Sequence, residues 1–219
     1  MRSAPPSLTI AVLAKAPAAG RVKTRLCPPC SPAQAASLAA AALEDTIALA
    51  RATPAERHVL VLDGDAADWT GRGLEVVGQR GDGLDQRLAA AFTDLGGPTL
   101  LVGMDTPQLT PAELTDAARR LTSSGDDVVG PALDGGFWAI GLQDPQPEDF
   151  LGVPMSQATT GAAQVARLKA RGRRVRLLDV HRDVDDWDDA LAVAALAPTT
   201  CFAGAMATVV AALERQGAA

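Results

Sequence analysis

Hydrophobic residues in this chain follow two alternating spacings, and the alternation predicts the order of its secondary-structure elements. Continuous apolar runs of about four to eight residues are typical of buried strands, whereas apolar positions three or four residues apart are typical of amphipathic helices. The continuous runs predict strands at 8–14, 58–62, 74–77, 99–102, 127–132, 137–142 and 175–178. The second spacing predicts helices at 31–52, 84–95, 110–123, 161–171, 183–197 (polar at its start) and 203–215.

Two of the predicted helices carry explicit start signals. Ser31-Pro-Ala-Gln34 and Thr110-Pro-Ala-Glu113 each have the form of a capping box with proline at the first helical position. Strands that alternate with helices imply a mainly parallel sheet covered by helices on both faces. With no repeat and no long linker, we expect one domain over 1–219, an α/β/α sandwich with a mainly parallel central sheet.

Composition and charge limit the classes of partner. The 219 residues suit one domain with a substantial core, and the formal net charge of −6 argues against nucleic acid, whose backbone needs a broad basic face. No apolar run of about 18 residues is present, so we expect no membrane span. The short apolar run at 8–14 is a poor signal peptide because Lys15 stands where small residues should precede cleavage, and we expect a cytoplasmic protein.

Cys27-Pro-Pro-Cys30 has the C-x-x-C form, which occurs in redox-active pairs and as half of a zinc site. A second ligand pair is missing, because the other cysteine and the two histidines are isolated: Cys201, His58 and His181. We therefore interpret the pair as structural or incidental.

A basic loop directly follows the first predicted strand. Lys15, Arg21, Lys23 and Arg25 fall within eleven residues of an acidic protein, in a stretch that also contains proline and glycine. Arginine matches phosphate oxygens as a bidentate fork and lysine serves as a mobile point charge, so the loop suits an anionic ligand with several oxygens. The alternative is a solvated basic loop, and neither the P-loop nor the dinucleotide glycine spacing is present.

Acidic residues follow other strands of the predicted sheet. They are Asp105, Asp134 in Asp134-Gly-Gly136, and the pair Asp183 and Asp185. In such a sheet they and the basic loop would meet beyond the carboxyl ends of the strands, where ligands bind. Carboxylates that face phosphates need a divalent cation between them, which predicts Mg²⁺ or Mn²⁺. The alternatives are a capping turn at Asp105, an acidic helix start at 183–189, and a hairpin at Asp134-Gly-Gly136.

Five segments in chain order resemble the GT-A-like nucleotide transferase superfamily. They are Lys15-x-Pro-x-x-Gly20-x-x-Lys23-Thr-Arg-Leu26, Gln79-x-Gly81-x-x-Leu84-x-x-Arg87, Gly103-x-Asp105-x-Pro107-x-Leu109, Gly130-Pro-Ala-x-Asp134-Gly-Gly-Phe-x-x-Ile-Gly-Leu142 and Asp183-Val-Asp185. More narrowly, the chain resembles a bacterial glycosyltransferase-like family associated in some genomes with arsenosugar biosynthesis. The first segment also resembles 2-phospholactate guanylyltransferases.

The resemblance implies a GT-A-like (Rossmann-like) fold and a role for each segment. The nucleotide-binding residues implied are Lys15, Pro17, Gly20, Arg21, Lys23, Arg25, Gln79, Gly81 and Arg87. The implied metal ligands are Asp105 and Asp185, with Asp183 as a further candidate, and the implied acceptor residues are Asp134, Gly135, Gly136 and Trp138. The chain departs from the family where Asp186-Trp187 replaces the usual Thr-Pro, and where Phe137-Trp138 replaces an aromatic that is often tyrosine.

These features predict a metal-dependent transferase that uses an activated nucleotide. Four cations suit an NTP whose departing pyrophosphate needs stabilisation, which favours nucleotidyl transfer to a small phosphorylated or hydroxyl acceptor, with Lys23, Arg25 and Asp105 as catalytic residues. Glycosyl transfer from an NDP-sugar is the alternative, and a non-catalytic nucleotide-binding protein is a third possibility. No general base is evident apart from His181, and the base, the acceptor and the oligomeric state stay open.

Overall fold

The computed structural model describes residues 8–217, which form a seven-stranded sheet with helices on both faces. The strands are β1 (Thr9–Lys15), β2 (Arg57–Asp63), β3 (Glu75–Gly78), β4 (Thr99–Gly103), β5 (Asp127–Pro131), β6 (Phe137–Leu142) and β7 (Val175–Leu177). The helices are α1 (Pro32–Ala52), α2 (Leu84–Leu95), α3 (Pro111–Ser124), α4 (Thr160–Ala170), α5 (Trp187–Leu196) and α6 (Cys201–Gly217). Each predicted element is present within a few residues of its expected bounds.

The local start signals explain why two helices begin where they do. Ser31 and Thr110 are the N-caps of α1 and α3, and each side chain accepts a hydrogen bond from the backbone of the third helical residue. Gln34 and Glu113 return a hydrogen bond to the cap backbone, so both predicted capping boxes are complete. These two helix starts are therefore explained by their local cap sequences.

The strand order is β3-β2-β1-β4-β6-β5-β7, and only β6 runs against its neighbours. The other adjacent pairs are parallel, which confirms the mainly parallel sheet. Because β5 and β6 are antiparallel and joined by residues 132–136, Asp134-Gly-Gly136 does form a hairpin turn. The hairpin tip therefore lies at the same edge as the carboxyl ends of the parallel strands.

Alternation along β1 divides the core between the two faces of the sheet. Ile10 and Val12 pack in the cluster that includes α1 and α3, whereas Ala11 packs in the cluster that includes α2 and α4. A third cluster joins α5 and α6 to the outer side of α1 through Leu38, Val193 and Phe202, among others. No helix within residues 8–217 is long and apolar enough to cross a membrane.

Candidate functional site

The basic loop after β1 is held at its base by apolar side chains. Val22 and Leu26 are buried, and Leu26 belongs to a short 3₁₀ turn, Thr24–Leu26. Lys23 precedes this turn with φ 48° and ψ 39°, a left-handed conformation that is uncommon outside glycine. The loop therefore has a defined backbone conformation, anchored by buried apolar residues.

Two cations of the loop are paired with the predicted metal carboxylates. Lys23 Nζ lies 2.6 Å from Asp105 Oδ1 and also donates a hydrogen bond to the Val184 carbonyl. Arg25 forms an ion pair with Asp185. The Lys23 side chain is nearly buried, at 10% exposed. The two ion pairs therefore join the first loop to two segments that lie far away along the chain.

The segment after β7 continues parallel to the start of the hairpin and so brings Asp183 and Asp185 to this edge. His181 bridges to Ala132 in parallel fashion, and the backbone N–H of Val184 donates to the Asp105 carbonyl at 2.8 Å. The contact ties the residue before Asp185 directly to the segment that follows β4. Three strand ends therefore converge through backbone hydrogen bonds, independently of any ligand.

The acidic run that follows Asp183 divides into two roles. Asp186 is the N-cap of α5 and accepts a hydrogen bond from the backbone of Asp189, whose carboxylate accepts from the backbone of Asp185 and Asp186. Asp183 and Asp185 instead line a cavity. Part of the run is therefore a helix start, as the alternative interpretation held. Aspartate is one of the residue types preferred at an N-cap.

Two cavities of opposite charge meet at the sheet edge. The basic cavity, of about 270 Å³, is lined by Lys15, Arg21, Lys23 and Thr24, and the acidic cavity, of about 580 Å³, is lined by carboxylates, short polar side chains and an apolar floor. The two cavities share three lining residues, Arg25, Asp105 and Asp185. A ligand that spans the junction would have its anionic part among cations and its other part among carboxylates.

The carboxylate of Asp183 is the most perturbed acid in the acidic cavity. Burial, and then the nearby charges of Asp134 and Asp105, raise its pKa to about 6. A carboxylate with such neighbours is stabilised in its charged form by an added cation. A cation close to the junction of the two cavities would therefore be stabilised by these carboxylates.

The Asp134-Gly-Gly136 hairpin is both a turn and a wall of the acidic cavity. Asp134 Oδ1 accepts a hydrogen bond from the Gly136 backbone at 2.7 Å, and both residues line the cavity. Gly135 has φ +88°, and a Cβ there would lie 1.9 Å from the Ala158 carbonyl oxygen. Its own carbonyl accepts from the Gly161 backbone at 2.8 Å, so only glycine lets the hairpin approach the start of α4 this closely.

Trp138 borders the acidic cavity, but its indole is anchored in the core. The residue is 4% exposed, its ring packs over Gly130, and its N–H donates to the Asp179 carbonyl at 3.0 Å. Phe137 lines the same cavity and is only half-buried. The aromatic surface open to a ligand is therefore that of Phe137, and an acceptor contact for the Trp138 indole stays a prediction that this placement does not support.

The segment that contains Gln79, Gly81 and Arg87 holds the ends of neighbouring strands together. The side-chain amide of Gln79 donates to the carbonyls of Ala14, at 2.7 Å, and Val61, at 3.0 Å, and so joins the ends of β1 and β2. Arg87 pairs with Asp63 at 2.8 Å and donates to the Gly81 carbonyl at 3.1 Å. These residues line neither cavity, nor do Pro17 and Gly20, and direct nucleotide contact by them stays a prediction.

His181 lies away from both of these cavities. Its Nε2 is 3.2 Å from Glu113 Oε1, and its ring meets Trp138 edge-on in a separate small cavity that Arg120 also lines. His181 lines neither the acidic nor the basic cavity, so a role as general base stays a prediction that this placement does not support.

Sequence reasoning missed the side of the acidic cavity that lies before α4. Ser156, Gln157 and Thr160 line it, and Ser156 has φ 57°. The signal was the polar run Ser156–Thr160 ahead of a helix, which resembles an ordinary loop and matches none of the family segments. The run lines the cavity because the Asp134-Gly-Gly136 hairpin packs against it in the folded chain.

The donor set fits a divalent cation that completes its coordination with phosphate. Within residues 8–217, no three acidic, histidine or cysteine side chains form a ready-made metal cluster. Asp105 and Asp185 nevertheless stand at the junction, and among the described residues the buried Asp105 Oδ1 is paired with Lys23. Mg²⁺ is usually bound by one or two carboxylates together with substrate phosphates, which is what this pair can offer.

Cys27 and Cys30 are free thiols at the end of the basic loop. Cys30 is buried with Leu26 and Leu38, and this burial is the main cause of its raised pKa. A raised pKa disfavours the thiolate that redox chemistry and zinc binding require. The environment of the pair agrees with the structural interpretation.

Comparison with solved structures shows a GT-A and nucleotidyltransferase fold. A proposed nucleotide-diphospho-sugar transferase from Desulfovibrio desulfuricans G20 superimposes with a TM-score of 0.81 at 24% identity, over 95% of this chain and 97% of that one. A nucleotidyl transferase from Methanothermobacter gives 0.62 at 16% identity, over 85% and 95%. Glucosyl-3-phosphoglycerate synthase from Mycobacterium tuberculosis, bound to Mn²⁺, UDP and glucosyl-3-phosphoglycerate, gives 0.50 at 12% identity, over 80% and 71%.

These neighbours are transferases that use nucleotide donors, and the family can be stated more narrowly. Residues 34–157 match the family described as uncharacterized protein conserved in bacteria (DUF2064), and the chain belongs to that family. No curated protein matches the sequence. The expected link to arsenosugar biosynthesis stays a prediction.

Proposed function

We propose that this protein is a metal-dependent transferase, a single catalytic domain that moves a nucleotidyl group from an NTP to a small acceptor with release of pyrophosphate. The observation that carries the proposal is the junction of a basic and an acidic cavity at Asp105, Asp185 and Arg25. The basic cavity suits the phosphates and the acidic cavity suits the acceptor. The group to be transferred would then lie at the junction, between the two carboxylates.

The ion pairs at the junction explain how the site accepts a nucleotide. Lys23 and Arg25 form ion pairs with Asp105 and Asp185. Phosphates entering the basic cavity compete for the two cations, and the carboxylates are then available to a divalent cation, Mg²⁺ or Mn²⁺. When bound, that cation would supply charge neutralisation between carboxylates and phosphates.

The chemical step then depends mainly on positioning and electrostatics. An acceptor oxygen attacks the α-phosphorus, and the bond from that phosphorus to the oxygen that bridges the α- and β-phosphates breaks. A hydroxyl acceptor gives up its proton to water, and pyrophosphate is the leaving group. Lys23 and Arg25 hold the departing pyrophosphate as its charge develops, while Lys15 and Arg21 bind the outer phosphate oxygens. Asp134 and the Gly136 backbone shape the cavity that holds the acceptor.

Glycosyl transfer from an NDP-sugar is the second candidate, and the acidic cavity favours it. Carboxylates are suited to accept hydrogen bonds from sugar hydroxyls, so this cavity could hold the sugar of the donor as well as an acceptor. The basic cavity would then hold a diphosphate leaving group. Under both reactions the same junction residues face the phosphates.

The direct test is a thermal-shift screen of the common NTPs and NDP-sugars with Mg²⁺ or Mn²⁺. A ligand at 100-fold above its Kd adds about 2.7 kcal/mol to the free energy of unfolding, a shift of about 5–10 °C for a chain of this size. The by-product then identifies the reaction: pyrophosphate supports nucleotidyl transfer, a nucleoside diphosphate supports glycosyl transfer, and binding without turnover indicates a nucleotide-binding protein.

Asp105→Asn and Asp185→Asn test the metal site within the same screen. Each variant should keep the fold, because both side chains are partly exposed at 45% and 41%. Each should lose the shift that depends on both metal and nucleotide. Unchanged shifts in both variants would refute the assignment of the two carboxylates.

A further inference from the structure

The charge balance of the acidic cavity bears on the chemistry of the acceptor. Within residues 8–217, four carboxylates line it, those of Asp105, Asp134, Asp183 and Asp185, and the one cation among its lining residues is Arg25. Arg25 is already paired with Asp185. The other cations of the basic loop line only the basic cavity. A molecule in the acidic cavity therefore meets an excess of negative charge.

Nucleotide and metal binding would use only part of this excess. Under the proposed function, Asp105 and Asp185 face the cation at the junction, which leaves Asp134 and Asp183 to the acceptor. One oxygen of Asp134 accepts from the Gly136 backbone, and the other has room for a donor. Within residues 8–217, the hydrogen bond to the Asp183 carboxylate comes from its own backbone N–H rather than from a neighbouring residue. Ionised carboxylates only accept, so both can take hydrogen bonds from donor groups of the ligand.

The remaining walls of the cavity are uncharged. Ser156 and Gln157 supply exposed polar side chains, and Phe137 and Leu84 supply apolar surface. A phosphate or carboxylate on the acceptor would find no free cation among the described residues that line the cavity. A molecule with several hydroxyl groups and an apolar face would satisfy both carboxylates and cover the aromatic ring.

On these grounds, and resting on the proposed function, we propose that the acceptor is an uncharged polyol of sugar size, held through hydroxyl groups by Asp134 and Asp183. The cavity volume of about 580 Å³ lies within the usual range for small-molecule sites. The proposal selects the hydroxyl acceptor over the phosphorylated one. Like-charge repulsion from the two carboxylates disfavours the phosphorylated form, so the cavity discriminates by repulsion as well as by contact.

The test compares matched pairs of probes that differ by one phosphate: glucose with glucose 6-phosphate, and myo-inositol with its monophosphate. Saturation-transfer NMR on the protein with Mg²⁺ and the nucleotide found by thermal shift measures binding, and product formation is followed in parallel. We expect the uncharged member of at least one pair to bind about tenfold more tightly. Preference for the phosphorylated member, or binding of neither member in both pairs, would overturn the proposal.

Two variants with the same change in charge sharpen the test. Asp134→Asn keeps an oxygen that can accept from Gly136, so the hairpin survives, and it should reduce the discrimination between paired probes by about threefold. Asp68→Asn removes an exposed carboxylate that lines none of the cavities described and should leave the discrimination unchanged. Equal effects of both variants would indicate a long-range charge effect and refute direct contact.

The nucleotide-dependent thermal shift separates this proposal from the proposed function. If no nucleotide shifts the melting temperature, the proposed function itself fails. If a nucleotide binds and the phosphorylated probes are still preferred, only the assignment of the acceptor class fails.

Discussion

Replacing Lys23 by alanine tests which reaction the site performs. In nucleotidyl transfer, Lys23 contacts a pyrophosphate whose charge grows as it departs, so its loss should lower kcat more than it raises KM. Removing one such charge-assisted contact costs about 2–4 kcal/mol of transition-state stabilisation, or roughly 30- to 1,000-fold in kcat. In glycosyl transfer, the same lysine would mostly bind the nucleotide's diphosphate, and KM would rise instead.

The structure also sets the cost to folding. Without Lys23, whose Nζ lies 2.6 Å away, Asp105 Oδ1 loses the cation that meets its charge. An unsatisfied buried polar atom costs about 1–3 kcal/mol, but the Asp105 side chain is 45% exposed, so water replaces part of the interaction and we expect about 1 kcal/mol. For a chain of this length, that lowers the melting temperature by about 2–4 °C.

The assay is steady-state release of pyrophosphate with the NTP and acceptor found by screening, beside a melting curve for each variant. Lys15→Ala is the matched control, because Lys15 also lines the basic cavity but is exposed, and its ammonium pairs with neither junction carboxylate. We expect Lys15→Ala to act mainly on KM. A pattern in which both variants raise KM and spare kcat would refute the role of Lys23 in stabilising the departing group.

Three further predictions concern other parts of the molecule. Replacing both Cys27 and Cys30 by serine should leave activity within about threefold, since neither thiol has a partner set for catalysis, and stoichiometric zinc that is lost in the variant would contradict this. Gly136→Ala places a Cβ 3.0 Å from the hairpin aspartate carboxylate, so turnover should fall more than nucleotide affinity, and equal losses would assign the hairpin to the nucleotide. Burial alone would raise the pKa of Asp149, but hydrogen bonds from Arg173 and its neighbours outweigh burial and lower it, so this carboxylate adds stability that is present above about pH 4 and is lost as the pH falls through its folded pKa. Arg173→Met should remove about 3 kcal/mol at neutral pH and flatten the acid limb of the stability curve, and an unchanged limb in denaturant titrations would argue against this pairing.

Short-range sequence patterns predicted most of the secondary-structure elements of the fold. The capping boxes at Ser31 and Thr110 and the glycine stop after Leu95 act within one turn of helix, and the structure places all three as expected. The apolar runs likewise located the strands, because a strand buried on both faces needs apolar residues at every position. The rule that parallel strands present their carboxyl ends at one edge then placed the candidate residues near one another.

The sequence by itself therefore determined the elements, their order and the edge at which chemistry was expected. Tertiary structure alone decided that β6 runs antiparallel, that Lys23 and Arg25 pair with Asp105 and Asp185, and that the Trp138 indole turns into the core. Helix caps and apolar runs depend on neighbours a few residues away, so they can be read along the chain. Ion pairs and side-chain directions depend on which distant strand lies alongside, and that neighbour exists only once the sheet has formed.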